Sequence, residues 1–153
     1  MTVIEYIENG NIFKSEAHAY VNPVNCVGVM GKGLAWAFQV RFPGNFESYE
    51  KICSQHRLQP GKVFVVRNKE APPPLIINFP TKRHWVDESK LDDIVSGLQS
   101  LAKALIHFKA KSVAVPALGC GLGGLDWDDI KPAIEAALGQ VNGLHVEIYE
   151  PRG

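Results

Sequence analysis

The sequence predicts an α/β domain built on a mixed, mostly parallel sheet with helices on both faces. Three observations predict it. Short apolar, β-branched runs alternate along the chain with stretches whose apolar residues recur at helical spacing. The run at 112–115 passes through Pro116-Ala117-Leu118-Gly119-Cys120-Gly121-Leu122-Gly123-Gly124 to Asp126, Asp128 and Asp129, which read as an N-cap with an acidic first turn. A chain of 153 residues, 46% hydrophobic and 21% charged, is one globular domain (1–153) large enough for a genuine core.

The elements follow in order. Val3 to Tyr6 reads as a first strand, broken by the turn-prone Asn9-Gly10-Asn11. A second strand at 17–21 runs into Asn22-Pro23-Val24-Asn25-Cys26-Val27-Gly28-Val29-Met30-Gly31-Lys32-Gly33, which reads as a loop. Leu34, Ala37, Phe38 and Phe42 form the apolar face of a helix that Pro43 ends. Phe46, Tyr49 and Ile52 predict a second helix over 45–55, closed by Pro60-Gly61. Strands at 63–66 and 75–79 flank Pro72-Pro73-Pro74, and the residues from Pro80 to Trp85 are polar and irregular. Ser89 with Asp92 resembles a capping box. Behind it Leu91, Ile94, Val95, Leu98, Leu101, Ala102, Leu105 and Ile106 make a strongly amphipathic helix. A strand at 112–115, a helix over 126–138 and a strand at 145–149 complete the chain.

Bulk properties exclude several classes of function. Sixteen basic residues balance sixteen acidic ones, so any contact with nucleic acid must come from a local patch. Cys26, Cys53 and Cys120 show neither metal-ligand spacing nor a disulfide framework, which predicts reduced thiols in a cytoplasmic protein. No apolar run reaches membrane-spanning length, and the N-terminus does not read as a signal peptide.

In a parallel sheet, ligands bind beyond the carboxyl ends of the strands. The loops expected there are 22–33, 79–85 and 116–125. Four glycines ahead of a helix N-terminus allow backbone N–H groups to approach a phosphate or diphosphate; the plain alternative is a tight strand-to-helix turn. Gly119, Gly121 and Gly124 fit the dinucleotide-binding spacing, but too little chain follows to complete such a sheet. Gly28, Gly31, Lys32 and Gly33 lack the spacing and the hydroxyl of a P-loop. Asn22 and Asn25 suit either sugar hydroxyls or turn chemistry. Lys82, beside Arg83 and His84, has three readings: an amine that like charges bias toward its neutral, nucleophilic form, a solvated basic loop, or part of a nucleic-acid patch with Trp85 stacking on a base. Cys120 reads as a small buried side chain, and Asp126 as a helix cap. His18, His56, His107 and His145 lie far apart and read as surface or helix-end residues.

Together these segments resemble the macrodomain family, the three-layer α/β/α fold that binds ADP-ribose. The resemblance covers essentially the whole chain. Gly10-Asn11-Ile12 stands where the family carries a Gly-Asp-hydrophobic motif. The stretch from Val21 to Ala35 is similar to the loop around the distal ribose, and Pro116 to Gly124 to the diphosphate loop. Asn22 to Gly33, Asn78 to Trp85 and Gly119 to Trp127 resemble most closely a branch of antitoxin macrodomains that strip ADP-ribose from DNA bases.

The resemblance implies a DNA ADP-ribosyl glycohydrolase acting on single-stranded DNA, with thymine the first candidate base. It implies Lys82 as the catalytic residue and Gly10, Asn11 and Ile12 as the adenine seat. Asn22, Asn25, Gly31, Lys32 and Gly33 would orient the distal ribose, and Gly119, Cys120, Gly121, Leu122 and Gly123 would hold the diphosphate. Thr81, Arg83, His84 and Trp85 would face the DNA. No metal and no cofactor is expected. The partners implied are ADP-ribose, ADP-ribosylated single-stranded DNA and a DarT-type toxin gripped by a further domain of a longer antitoxin, with this domain monomeric and off the membrane. Two residues depart from the pattern: Asn11 replaces an acidic adenine contact, and Gly123 stands where a related animal enzyme has a catalytic aspartate. The alternatives are an ADP-ribose reader without catalysis and a hydrolase of ADP-ribosyl esters on protein.

Overall fold

Beginning at Val3, the chain of the computed structural model, which describes residues 1–69 and 71–151, alternates strand and helix almost throughout. Its elements are β1 (Val3–Ile7), β2 (Ala19–Asn25), α1 (Gly33–Arg41), α2 (Pro43–Ser54), β3 (Phe64–Arg67), β4 (Leu75–Lys82), α3 (Leu91–His107), β5 (Ser112–Val115), α4 (Trp127–Leu138) and β6 (His145–Tyr149). A single 3-10 turn, Ile12–Lys14, follows β1. The strands form one sheet in the order β1-β6-β5-β2-β4-β3, parallel throughout except that β3 runs antiparallel to β4. The expected mixed, mostly parallel sheet is therefore present.

Alternation along the central strands divides the core in two. Ala19 and Val21 of β2, Ile77 and Phe79 of β4 and Val113 and Val115 of β5 face α3 and α4, meeting Leu98, Leu101, Ile130 and Ile134. On the other face, Tyr20, Ile76 and Ala114 meet Phe38 of α1, while Val24 and Met30 meet Tyr49 and Cys53 of α2. Each fully buried side chain of this size stabilises the fold by roughly 1.5–3 kcal/mol. Gly97 lets α3 lie close against β4: a Cβ there would stand 2.5 Å from Cζ of the Phe79 ring. That close approach fixes the strand that ends in Lys82.

Three local expectations are corrected. Asn22 to Asn25 is not loop but the end of β2, because its backbone pairs with Asn78 to Lys82 of β4. Tertiary pairing overrides the turn propensity of Asn-Pro. For the same reason Pro80, Thr81 and Lys82 belong to β4 rather than to a loop. Ser89 is no helix cap: α3 begins after Lys90 with no side-chain cap, and Ser89 is buried beneath the loop that follows β5.

Candidate functional site: a cleft at the carboxyl ends of β2, β4 and β5

The register of β2 against β4 contains a bulge. Val24 lies opposite Pro80, but Asn25 lies opposite Lys82, so Thr81 is the extra residue. Residues opposite one another in a ladder share a face, and a one-residue insertion moves everything beyond it to the other face. The bulge thus puts Lys82 on the face that Asn25 occupies, where an unbroken ladder would have put Thr81. Thr81 itself is buried, and its hydroxyl donates to the Val24 carbonyl at 3.4 Å. One residue further on, the Cys26 N–H donates to the Arg83 carbonyl at 3.2 Å. The ends of the two strands are therefore tied together around the lysine.

Lys82 leans across to the loop between β5 and α4, where its Nζ donates to the Leu122 carbonyl at 3.2 Å. That loop is tightly turned. Gly119 (φ +75°) and Gly124 (φ +78°) adopt the left-handed conformation that favours glycine. The Leu125 N–H closes the turn on the Gly119 carbonyl at 2.8 Å, and the Ser89 N–H donates to the Gly123 carbonyl at 2.9 Å. At Gly123 a Cβ would stand 2.5 Å from the Gly119 carbonyl oxygen and 2.3 Å from the Ser89 hydroxyl. A side chain there would collide with the turn's own backbone unless the turn shifted, and the aspartate of the related animal enzyme has no counterpart at this position. Asp126 caps α4 as expected, accepting from the Asp128 N–H at 3.0 Å.

The loop after β2 is organised by Asn25. Its Oδ1 accepts from the Val27 N–H at 3.0 Å and its Nδ2 donates to the Val29 carbonyl at 2.7 Å, which is the turn chemistry open to asparagine. Gly31, Lys32 and Gly33 beyond it are exposed. Gly33 lies near the Leu122 side chain, so the two loops meet at the mouth of the cleft. Asn22 is fully buried; its Nδ2 donates to the Asn78 Oδ1 at 3.1 Å, and its own Oδ1 finds no partner among the described residues.

The remaining candidates divide between two ends of the sheet. Arg83 pairs with Asp93 at 3.3 Å, His84 packs against Trp85 with ring centroids 5.4 Å apart, and Trp85 is 54% exposed beside the lysine strand. Arg83 also lines a polar cavity of about 410 Å³ with Asp87, Glu88, Ser89, Lys90 and Asp93. Gly10, Asn11 and Ile12 follow β1, separated from β2 by β6 and β5. Asn11 is exposed and caps the 3-10 turn through the Phe13 N–H at 3.0 Å, whereas Ile12 is buried. Gly10 sits tightly against Tyr149 and Ile7. Cys120 is half-buried rather than buried; burial first, then nearby Asp126, pushes its thiol up to about 11. It stays protonated at neutral pH and is no nucleophile there. Among the described residues, the grouping that could hold a metal is Glu5, His145 and Glu147 on β1 and β6, remote from Lys82 in the sheet order.

Sequence reasoning did not find Asn45 and Tyr49 of α2. The Tyr49 hydroxyl lies 2.8 Å from both the Asn25 carbonyl and the Asn25 Oδ1, and Asn45 exchanges hydrogen bonds with Asn78 at 2.8 and 3.1 Å. The available signal was polar: Asn45, Tyr49 and Cys53 recur at four-residue spacing and are the buried face of α2.

A glycine turn before a helix, a lysine-bearing strand end and an asparagine-organised loop meet around one cleft. The chain belongs to the macrodomain family, whose Macro domain model matches residues 21–134. It is 44% identical over 146 residues, 95% of this chain, to a DNA ADP-ribosyl glycohydrolase of Mycobacterium tuberculosis. It is 42% identical over 143 residues to the Thermus aquaticus protein of the same name. The chain spans about 42% and 40% of the length of these curated relatives. Among solved structures, the macrodomain of Mycobacterium tuberculosis DarG superposes with a TM-score of 0.95 at 43% identity, covering 99% of both chains. Thermosipho africanus DarTG in complex with ADP-ribose matches with a TM-score of 0.87 at 34% identity, over 96% of this chain and 42% of that one. Among the described residues, no helix is long and apolar enough to cross a membrane.

Proposed function

We propose that this domain is a DNA ADP-ribosyl glycohydrolase that removes ADP-ribose from a modified base, thymine first among the candidates, in single-stranded DNA. The observation that carries the reading is Lys82: the bulge at Thr81 pairs it with Asn25, and its amine reaches the Leu122 carbonyl in the Gly119–Gly124 turn. The domain's similarity to the DNA ADP-ribosyl glycohydrolases of Mycobacterium tuberculosis and Thermus aquaticus supports the same chemistry.

ADP-ribose would lie along the carboxyl edge of the sheet. From β1 to β4 there are four strand spacings, about 19 Å at about 4.8 Å each, a span suited to a molecule with a nucleoside at one end and a second sugar at the other. Gly10, Asn11 and Ile12 would seat adenine. The backbone of residues 119–123 at the head of α4 would hold the diphosphate. Gly31, Lys32, Gly33 and Asn25 would orient the distal ribose, with Asn22 acting from beneath through Asn78. The modified base would then lie on the side of Thr81, Arg83, His84 and Trp85, where an exposed indole can stack on a neighbouring base.

Hydrolysis adds one water across the bond between C1 of the distal ribose and the base: the hydroxyl goes to C1, and the base leaves with the proton. Lys82 contributes either by attacking C1 or by taking a proton from the incoming water. Holding the sugar rigidly between the two loops lowers the barrier to either step. Such a domain would act as the antitoxin to a DarT-type toxin in the cytoplasm. The test is an oligonucleotide ADP-ribosylated on thymine. Release of free ADP-ribose that disappears in Lys82→Ala is the expected result; tight ADP-ribose binding without release would make the protein a reader instead.

A further inference from the structure

The inward face of α2 carries two polar anchors one helical turn apart, and each reaches a different strand of the lysine cleft. Asn45 meets β4: its Nδ2 donates to the Asn78 Oδ1 at 3.1 Å, and the Asn78 Nδ2 returns a bond to the Asn45 Oδ1 at 2.8 Å. Asn78 lies four residues before Lys82 and also receives the Asn22 amide, so one side chain joins α2, β4 and β2. Tyr49 meets β2: its hydroxyl lies 2.8 Å from the Asn25 carbonyl and 2.8 Å from the Asn25 side-chain oxygen. Both anchors are buried, Tyr49 completely and Asn45 to within 4%. A helix that needed only to cover the sheet would present apolar residues here. Buried polar pairs contribute little net stability but specify one geometry.

We propose that Asn45 and Tyr49 are positioning residues of the hydrolase site. From one face of α2 they hold β4 at its middle, Asn78, and β2 at its end, Asn25, so that Lys82 and the loop opened by Asn25 face each other across the bulge at Thr81. The two anchors have separate duties. Tyr49 fixes the asparagine loop expected to embrace the distal ribose, and so acts on binding. Asn45 fixes the strand that delivers the amine, and so acts on turnover. The proposal rests on the reading of Lys82 given above.

The test uses Tyr49→Phe, which removes one oxygen and leaves the ring packing, and Asn45→Leu, which keeps the volume and removes the amide. Each is measured for melting temperature, for ADP-ribose affinity by calorimetry and for turnover of ADP-ribosylated oligonucleotide. The expected result is a split. Tyr49→Phe weakens ADP-ribose binding and raises KM about tenfold with kcat near that of the parent. Asn45→Leu lowers kcat about tenfold with ADP-ribose affinity near that of the parent. If Asn45→Leu does not fold, Asn45→Ser serves the same arm. Folded variants with parental KM, kcat and affinity overturn the proposal, as does an equal fall in all parameters that tracks melting temperature. A parent protein that binds ADP-ribose but releases none from DNA overturns the hydrolase reading instead, and with it the role of Asn45. The affinity arm then still decides the role of Tyr49.

Discussion

Lys82 Nζ donates to the Leu122 carbonyl across 3.2 Å, so the amine of one strand end closes on the backbone of the neighbouring loop. On the proposed function, a substrate sugar entering the cleft would exchange that bond for its own contacts. Until then the lysine pins the glycine turn in place.

Lys82→Met should loosen the turn without unfolding it. A partly exposed hydrogen bond of this kind contributes on the order of 0.5–1.5 kcal/mol. Amide hydrogen exchange at residues 121–124 should therefore quicken by up to about tenfold, while exchange in β5 and α4 stays unchanged.

Two glycines of the same turn should respond differently. Gly121→Ala meets nothing within 4 Å of the new Cβ and should leave the melting temperature within about a degree, since it creates no clash. Gly123→Ala drives its Cβ onto the Gly119 carbonyl and should cost about 1–3 kcal/mol, with weakened ADP-ribose binding in calorimetry.

Asp126→Ala removes the α4 cap and should cost on the order of 0.5–2 kcal/mol in urea denaturation. Asp128 and Asp129 remain in the first turn, so the helix persists.

Alkaline pH should weaken the fold through its thiols. Burial pushes both Cys26 and Cys120 up to about 11 from an ordinary value near 9. Between those values the unfolded chain has lost protons that the folded chain retains, so stability falls as pH rises. The melting temperature should decline from about pH 9 to pH 11, and the double variant Cys26→Ala, Cys120→Ala should make the decline shallower, the remainder coming from Cys53 and the Tyr20, Tyr49 and Tyr149 hydroxyls, which burial also pushes up.

Trp85→Ala should weaken binding of ADP-ribosylated oligonucleotide by roughly 1–3 kcal/mol, the worth of one stacked base, while ADP-ribose alone binds as before. Gel shift and calorimetry on the same variant separate the two effects.

The alternating fold, the two core faces and the turn at 116–125 were legible because hydrophobic period and glycine placement act locally. What escaped depends on partners distant in sequence. Asn22 to Asn25 carries turn-forming residues, yet pairing with β4 makes it strand. Lys82 was identifiable as a candidate, but the bulge that aims it exists only in the register between two strands separated by some fifty residues. Ser89 and Asp92 match a cap by spacing, but the serine is taken up beneath Gly119 and Gly123. Phe46, Tyr49 and Ile52 predict α2 correctly as a helix, but of these only Tyr49 is among the side chains it buries deepest, the others being Asn45 and Cys53. An inward amide such as Asn45, or the hydroxyl of a tyrosine that otherwise packs as an apolar ring, gives no hydrophobic signal.

The closed space at Gly123 also bears on how this protein can change. An acidic partner for the lysine cannot be acquired by substitution at that one position, because the turn would have to be rebuilt around it. Any descendant that gained such a group would have to recruit it from another loop.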